Sequence, residues 1–208
     1  MHTIYPLFSV PVYSSNINSL SEKHTDCIAN LKYRRTQGDY VNLSTDNYVL
    51  NLPELEEIKS QVTNHINTYC YDILKTSKNI KFKLLNSWVA QYLPKDYCPS
   101  HSHINSLFSG VLYIKTSENC GDITFRSKVK DTFSETIGLN YEEYNIHNST
   151  SWSFKPFDGL ILLYPSYLAH EVSFNLSDDI RYCIAFNIFI EGDLESAGDF
   201  KIDFLSIK

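Results

Sequence analysis

Three histidines stand where they could bind one metal ion. His101 and His103 are separated by a single residue, and His170 follows an apolar run that ends at Pro165. Residues i and i+2 of an extended chain point to the same face, so the first two imidazoles can face one ion. That spacing alone is a weak signal, and the third histidine strengthens it. Imidazole suits Fe, Zn, Cu and Ni, so the ligand type leaves the metal open.

An arginine begins the next apolar run, residues 181–190. Alternation along this run places Arg181 opposite its bulky apolar residues, which predicts that the arginine faces a roomier interior. A buried guanidinium needs an anionic partner, and its planar fork matches a carboxylate. The partner is either the carboxylate of a ligand or an acid of the chain, such as Asp178 or Asp179.

The order of these groups resembles one enzyme superfamily. Trp88 to Tyr113, Tyr164 to His170 and Arg181 to Asn187 together resemble the 2-oxoglutarate/Fe(II) oxygenases. The resemblance is narrower to the small bacterial and phage branch related to prolyl hydroxylases, and it spans Tyr5 to about Ile190. It implies oxidative decarboxylation of 2-oxoglutarate coupled to hydroxylation of an unidentified substrate, a peptidyl side chain or a small molecule. The cofactors implied are Fe(II), 2-oxoglutarate as co-substrate and O2, with ascorbate as an optional addition.

The same resemblance implies roles for individual residues. His101 and His170 would bind iron, and Arg181 would pair with the distal carboxylate of 2-oxoglutarate. His103 stands where the superfamily usually has Asp or Glu, so it is either a third metal ligand or a neighbour of a two-histidine site. Three neutral imidazoles would leave the charge of the ion uncancelled until 2-oxoglutarate binds. Asp96 lies nearby in sequence, but its spacing does not suit a ligand.

Five further residues are candidates for the co-substrate or substrate pocket. Tyr113, on the strand after the histidine pair, is expected to hydrogen-bond the distal carboxylate, and Tyr92, on the strand before it, to line the pocket. Asn105, Ser109 and Asn187 are weaker candidates. A structural hydrogen bond explains these three residues and Tyr92 at least as well as a ligand contact does. Three histidines can also hold Zn, which leaves a second hypothesis of a non-catalytic, cupin-like metal-binding or interaction module.

The elements that must position these residues divide the chain into helices followed by strands. Leu55, Ile58, Val62 and Ile66 repeat at helical spacing within a predicted helix from Asn51 to about Lys75. A shorter helix is predicted after a capping box of Ser19 and Glu22, and His65 is expected to be structural rather than a ligand. Strands are predicted over 86–93, 108–115, 121–126, 150–155, 159–164 and 180–190, after an extended or edge segment over 4–13.

Helices before strands indicate an α+β fold, and short, evenly spaced strands indicate an antiparallel sandwich or barrel. The resemblance narrows this to a double-stranded β-helix, a jelly-roll, cupin-like core with the N-terminal helices packed on one sheet. We expect one domain over 1–208, with a helical part at about 14–80, a core at about 81–192 and a tail at 193–208. The polar stretch 127–149 is a candidate lid.

Bulk composition limits the classes of partner and compartment. A net charge of −6 and a pI near 5.6 give no sign of a cationic surface, so no nucleic-acid partner is expected. No membrane segment is expected, and five cysteines without paired spacing favour reduced thiols. We therefore expect a cytoplasmic protein, a monomer or homodimer, whose partners are 2-oxoglutarate and an unknown small-molecule or protein substrate.

Overall fold

Two antiparallel sheets face each other across the cavity that holds the candidate residues. The structure is a computed structural model and describes residues 2–5, 7–127, 140–195 and 201–204. Within these ranges it has the predicted α+β architecture, a double-stranded β-helix with helices on one sheet. The candidate lid at 127–149 lies outside the described residues over 128–139, so its role stays a prediction.

The larger sheet has eight strands, and its central strand is the one that carries Arg181. Its order is β1-β9-β6-β11-β4-β3-β2, and β12 pairs with β11 beyond that path. The strand bounds are β1 Tyr13–Asn16, β2 Tyr33–Arg35, β3 Asn42–Ser44, β4 Lys81–Tyr92, β6 Phe108–Lys115, β9 Leu160–Pro165, β11 Arg181–Glu195 and β12 Lys201–Phe204.

The smaller sheet has four strands and carries two of the three histidines. Its order is β5-β10-β7-β8, with every pair antiparallel. The strand bounds are β5 Cys98–His101, β7 Ile123–Arg126, β8 Ser151–Phe154 and β10 His170–Val172. The sequence pattern predicts β7 and β8 but misses β5 and β10. Both missed strands have at most four residues, and neither shows an alternating apolar pattern.

The predicted long helix is confirmed in position, and its ends differ from a regular helix. The α-helical part, α2, spans Glu56–Asn67; two 3₁₀ turns precede it and a π-helical turn, Thr68–Ile73, follows it. Pro53 stands first in the second 3₁₀ turn, where its missing N–H costs nothing. Because the π turn rotates the chain, Ile73 leaves the apolar stripe and is exposed.

The shorter helix, α1, spans Glu22–Ala29, and the predicted capping box is wrong by two residues. Ser21 is the N-cap, and its backbone N–H donates to Nδ1 of His24 at 3.2 Å. Ser19 instead accepts a hydrogen bond from Nε2 of Gln61 on α2. The position of a cap thus depends on a tertiary contact that local spacing does not reveal.

The helices cover the outer face of the larger sheet, as predicted. Ile58, Val62 and Ile66 of α2 are buried in one cluster with Ile184 and Phe186 of β11. His65 lies beside this cluster, where Tyr13 Oη and His65 Nδ1 are 2.8 Å apart, in agreement with a structural role. The helical layer therefore leaves the opposite face of β11 free to line the cavity.

The C-terminal boundary of the core lies beyond residue 192. β11 continues to Glu195, and β12 pairs with it from Gly192↔Phe204 to Glu195↔Lys201. Part of the predicted tail is thus a sheet strand. Among the helices that the structure describes, none combines the length and apolar character that crossing a membrane requires.

Candidate metal and co-substrate site

A cavity of about 420 Å³ lies between the two sheets. The larger sheet contributes the face of β11 that carries Arg181, Cys183, Ala185 and Asn187, which is the face that alternation predicts. The hairpin of β2 and β3 adds Tyr40 at one side. The smaller sheet contributes side chains of β5, β7 and β10. The cavity thus joins residues that are distant in sequence.

The three histidines meet in this cavity. His101 ends β5 and lies opposite His170, which begins β10. His103 lies two residues beyond β5, and its backbone N–H donates to the backbone oxygen of Ser166 at 2.9 Å. One nitrogen from each ring lies within 4.8 Å of the other two. Small side-chain rotations would bring the three nitrogens to about 2.1 Å from one ion.

Hydrogen bonds determine which ring nitrogen each histidine offers. Nδ1 of His101 lies 2.9 Å from the oxygen of Pro99, and Nδ1 of His170 lies 3.0 Å from the oxygen of Leu168. A carbonyl oxygen only accepts, so each Nδ1 donates its proton. Both Nε2 atoms then carry lone pairs, which is how partners beyond the ligands orient metal-binding histidines.

His103 has a different partner. Its Nδ1 lies 2.6 Å from Oδ1 of Asn187, which also accepts from Oγ of Ser109 at 2.8 Å. The amide oxygen only accepts, so Nδ1 of His103 is also a donor and Nε2 is free. The cluster therefore offers three Nε2 lone pairs to a metal.

Burial keeps two of these imidazoles neutral. It lowers the pKa of His170 to about 3, with a further contribution from the charge of His101. Burial also lowers the pKa of His103. A neutral imidazole is the form that binds a metal, so neither ring needs to lose a proton at neutral pH.

The acids near the cluster in sequence have other partners. Asp96 accepts from Nη1 and Nη2 of Arg35 at 2.6 and 2.7 Å, and Glu171 accepts from Arg126 at 2.7 Å. Within the described ranges, the three histidines form the one group with the spacing of a metal site. No described acidic side chain joins the cluster, and His103 is its third member.

Arg181 is fully buried, and two of its three guanidinium nitrogens are unpaired. Nη1 donates to the backbone oxygens of Cys120 and Gly121 at 2.9 and 2.7 Å, whereas Nε and Nη2 have no hydrogen-bond partner among the described residues. The guanidinium carbon lies 3.8 Å from the ring centroid of Tyr92. No described acid lies within 4.0 Å of it, so the alternative of an ion pair with Asp178 or Asp179 is wrong for this part of the chain.

The two unpaired donors fit a ligand carboxylate. Nε and Nη2 lie on one edge of the guanidinium, and that edge can donate two parallel hydrogen bonds to one carboxylate. Leaving a buried donor unpaired costs about 1–3 kcal/mol, and more when the group is charged. An anion in the cavity would remove that cost.

Gly121 allows the contact that orients the arginine. Its φ of +93° lies in the left-handed region, and a Cβ at this position would lie 2.3 Å from the backbone oxygen of Ser173. Only glycine tolerates both conditions. The Gly121 oxygen can therefore reach Nη1 of Arg181.

The other predicted pocket residues divide into two groups. Tyr92, Tyr113 and Asn187 line the cavity, and burial raises the pKa of both tyrosines, so both remain hydroxyl donors. Asn105 does not line it. That residue is exposed in the loop after His103, with a φ of +58° that asparagine tolerates better than most residues.

Two polar groups at the site are not predicted from the sequence. Tyr164, which belongs to the segment that resembles the oxygenases but has no role predicted from the sequence, places its hydroxyl oxygen 3.3 Å from Nε2 of His170. Ser166 follows β9, and its Oγ lies 2.7 Å from Oγ of Ser109. Alternation along β9 already directs Tyr164 inward together with Leu162, but no local signal identifies Ser166.

Comparison with known proteins agrees with the fold. Residues 86–187 match the family model described as "Putative 2OG-Fe(II) oxygenase". No curated protein sequence matches the chain.

Three crystal structures illustrate the likeness. An oxidoreductase of the 2OG-Fe(II) oxygenase family from Burkholderia pseudomallei has 12% identity and a TM-score of 0.56, over 81% of this chain and 76% of that chain. A Pseudomonas putida prolyl-4-hydroxylase has 12% identity and a TM-score of 0.56, over 87% and 94%. HygX from Streptomyces hygroscopicus, with nickel, 2-oxoglutarate and hygromycin B bound, has 10% identity and a TM-score of 0.58, over 86% and 83%.

Proposed function

We propose that this chain, which belongs to the 2-oxoglutarate/Fe(II) oxygenase superfamily, is a dioxygenase that couples decarboxylation of 2-oxoglutarate to hydroxylation of a second substrate. One observation carries the proposal: two unpaired donors of the buried Arg181 share a cavity with three convergent histidines. The pair of features suits a metal and a dicarboxylate bound side by side. HygX, which shares the fold, was crystallised with nickel and 2-oxoglutarate.

The residues of the chain would hold and orient these groups. The histidines would bind Fe(II) through Nε2, and Arg181 would receive the distal carboxylate of 2-oxoglutarate on Nε and Nη2. Tyr113, whose ring centroid lies 5.8 Å from the guanidinium carbon, would donate to the same carboxylate. When bound, iron, 2-oxoglutarate and O2 supply the oxidising chemistry, and the protein supplies orientation and a dry cavity.

Charge favours an anionic co-substrate. Three neutral imidazoles cancel none of the charge of a divalent ion, and Arg181 adds one positive charge in a cavity wall that, over the described residues, has no acidic side chain. The dianion of 2-oxoglutarate would offset most of this charge. A wall of mainly apolar and aromatic side chains strengthens the attraction, because electrostatic interactions are stronger where water is excluded.

The second substrate would lie in the part of the cavity that the metal and 2-oxoglutarate leave open. The rest of the cavity could accept part of a small molecule or a side chain of a protein. Relatives in fold act on different classes of substrate, and function resides in the site rather than in the fold. We therefore propose only that the second substrate presents an uncharged group to the metal, because Arg181 is the one charged side chain of the described cavity wall.

Succinate release tests the proposal. Purified protein with Fe(II), ascorbate, O2 and 2-oxoglutarate should form succinate slowly even without the second substrate. His170→Ala, which removes a buried Nε2, is the matched control and should form none. If wild-type protein binds metal but neither binds nor decarboxylates 2-oxoglutarate, the alternative of a non-catalytic metal-binding module replaces the oxygenase.

A further inference from the structure

His103 differs from the other two histidines in what holds its ring. His101 and His170 donate Nδ1–H to backbone oxygens of their own loops, two residues away in each case. His103 donates to a side-chain amide on β11, 84 residues later in the chain. Oγ of Ser109 also lies 3.0 Å from this Nδ1. The orientation of His103 therefore depends on side chains, which a substitution can remove without changing the backbone.

A row of three serines, of which Ser109 and Ser166 are buried, supports that amide. Ser106 Oγ donates to Ser166 Oγ at 2.7 Å, and Ser166 and Ser109 are joined at 2.7 Å. Ser109 in turn donates to Oδ1 of Asn187 at 2.8 Å. If Ser166 donates to Ser109, the hydroxyls of all three serines donate in the direction of Oδ1 of Asn187. Such a network holds the amide oxygen in a fixed position, where it accepts the Nδ1–H of His103.

Sheet register fixes the row in place. Asn187 of β11 lies directly opposite Ser109 of β6, and Ser166 follows β9, which pairs with the other side of β6. Ser109 and Ser166 are almost completely buried, so water does not compete for these hydrogen bonds. Ser166 also accepts the backbone N–H of His103, and this holds His103 at a second point.

We propose that Asn187, supported by Ser109 and Ser166, is a positioning residue that holds His103 with Nε2 toward the metal and so makes His103 the third protein ligand. This inference rests on the proposed metal site. An amide in this role orients the imidazole without adding negative charge. The site consequently keeps the full charge of the ion for the co-substrate, which a neighbouring carboxylate would partly cancel.

Binding of Co(II) alone tests this inference, with no 2-oxoglutarate present. We expect Asn187→Leu to weaken Co(II) binding roughly 10–100-fold, the usual effect of losing a partner that orients a ligand. His103→Ala removes the ligand itself and should weaken Co(II) binding at least as much. Both variants should change the visible Co(II) absorption spectrum in the same way. The double variant should lose no more than His103→Ala alone, because Asn187 acts through His103.

Three control variants separate positioning from general damage. Asn187→Asp keeps an acceptor at the same place and should retain the wild-type Co(II) spectrum. Ser109→Ala removes one support and should give a smaller loss of affinity. Asn86→Leu replaces the asparagine directly opposite on β4, which is outside the row, and should bind Co(II) as wild type does.

Two results would overturn the inference. One is wild-type Co(II) affinity and spectrum in a folded Asn187→Leu variant; the other is additive losses in the double variant. Absence of Co(II) binding to the wild-type protein would also overturn it. Failure of the proposed function has a different signature, since the wild-type protein would bind Co(II) normally and yet release no succinate with Fe(II).

Discussion

The two faces of β11 make opposite use of burial. One face packs Ile184 and Phe186 against the helices, in a cluster made of apolar side chains. The other face carries Arg181 and Asn187 into the cavity, and both are buried too. On the helix side burial removes apolar surface from water and stabilises the fold. On the cavity side it leaves two charged donors of Arg181 unpaired, which costs stability unless a ligand is bound.

This difference explains how one strand can serve fold and site together. Alternation separates the two roles residue by residue, so a change on one face leaves the other in place. Sites that bind ligands commonly retain groups that are unfavourable in the empty protein. The comparison predicts that substitutions on the two faces affect stability and binding in opposite ways.

The largest effect is expected on the helix face. Phe186→Ala should lower the free energy of unfolding by about 3–5 kcal/mol, because it empties a fully buried site above Gly110 of β6. Denaturant unfolding of the apo protein measures this loss. Phe186→Leu is the matched control and should cost less. A near-wild-type stability for Phe186→Ala would mean that this face is not the core.

A smaller effect is expected where the backbone meets Arg181. Gly121→Ala should lower the free energy of unfolding by about 1–3 kcal/mol, because alanine is strained at a φ of +93° and its Cβ would overlap Ser173. The backbone movement that relieves this overlap should also move the Gly121 oxygen away from Nη1 of Arg181 and weaken 2-oxoglutarate binding. Calorimetry of binding and unfolding measures both. If Gly121→Ala is less stable but binds 2-oxoglutarate as wild type does, Gly121 does not orient Arg181 for binding.

The smallest change in stability is expected for the cavity arginine itself. Arg181→Met should leave the unfolding free energy of the apo protein within about 1 kcal/mol of wild type, or raise it, because it removes an unpaired buried charge. Arg35→Met is the matched control. It leaves the buried Asp96 carboxylate without its ion pair and should cost about 1–3 kcal/mol. A large loss in Arg181→Met would show that the arginine is a structural group.

Those features of the fold that follow from periodicity could be predicted from the sequence. The alternation of β11 predicts which side faces the cavity, and helical spacing predicts that α2 covers the other side. Short strands such as β5 and β10 could not be predicted, because their residues do not alternate and only pairing within the smaller sheet makes them strands. The predicted start of α1 is also wrong, because Ser19 accepts a hydrogen bond from Gln61 instead of capping the helix.

The site shows the same limit. Residue type and order in the sequence predict four site residues, and the structure places all four in one cavity: His101, His103, His170 and Arg181. The contact between His103 and Asn187 joins positions 84 residues apart and leaves no local signal. Asn105 shows the converse error, because an asparagine close to the histidines in sequence turns away into an exposed loop.

The central claim is that Arg181 holds the distal carboxylate of 2-oxoglutarate beside a three-histidine metal site. Calorimetric titration of 2-oxoglutarate into Fe(II)-loaded protein without O2, for wild type and Arg181→Met, tests it most directly. We predict that Arg181→Met keeps its metal and loses about 2–5 kcal/mol of 2-oxoglutarate binding free energy. Equal 2-oxoglutarate affinity in the two proteins would contradict the claim.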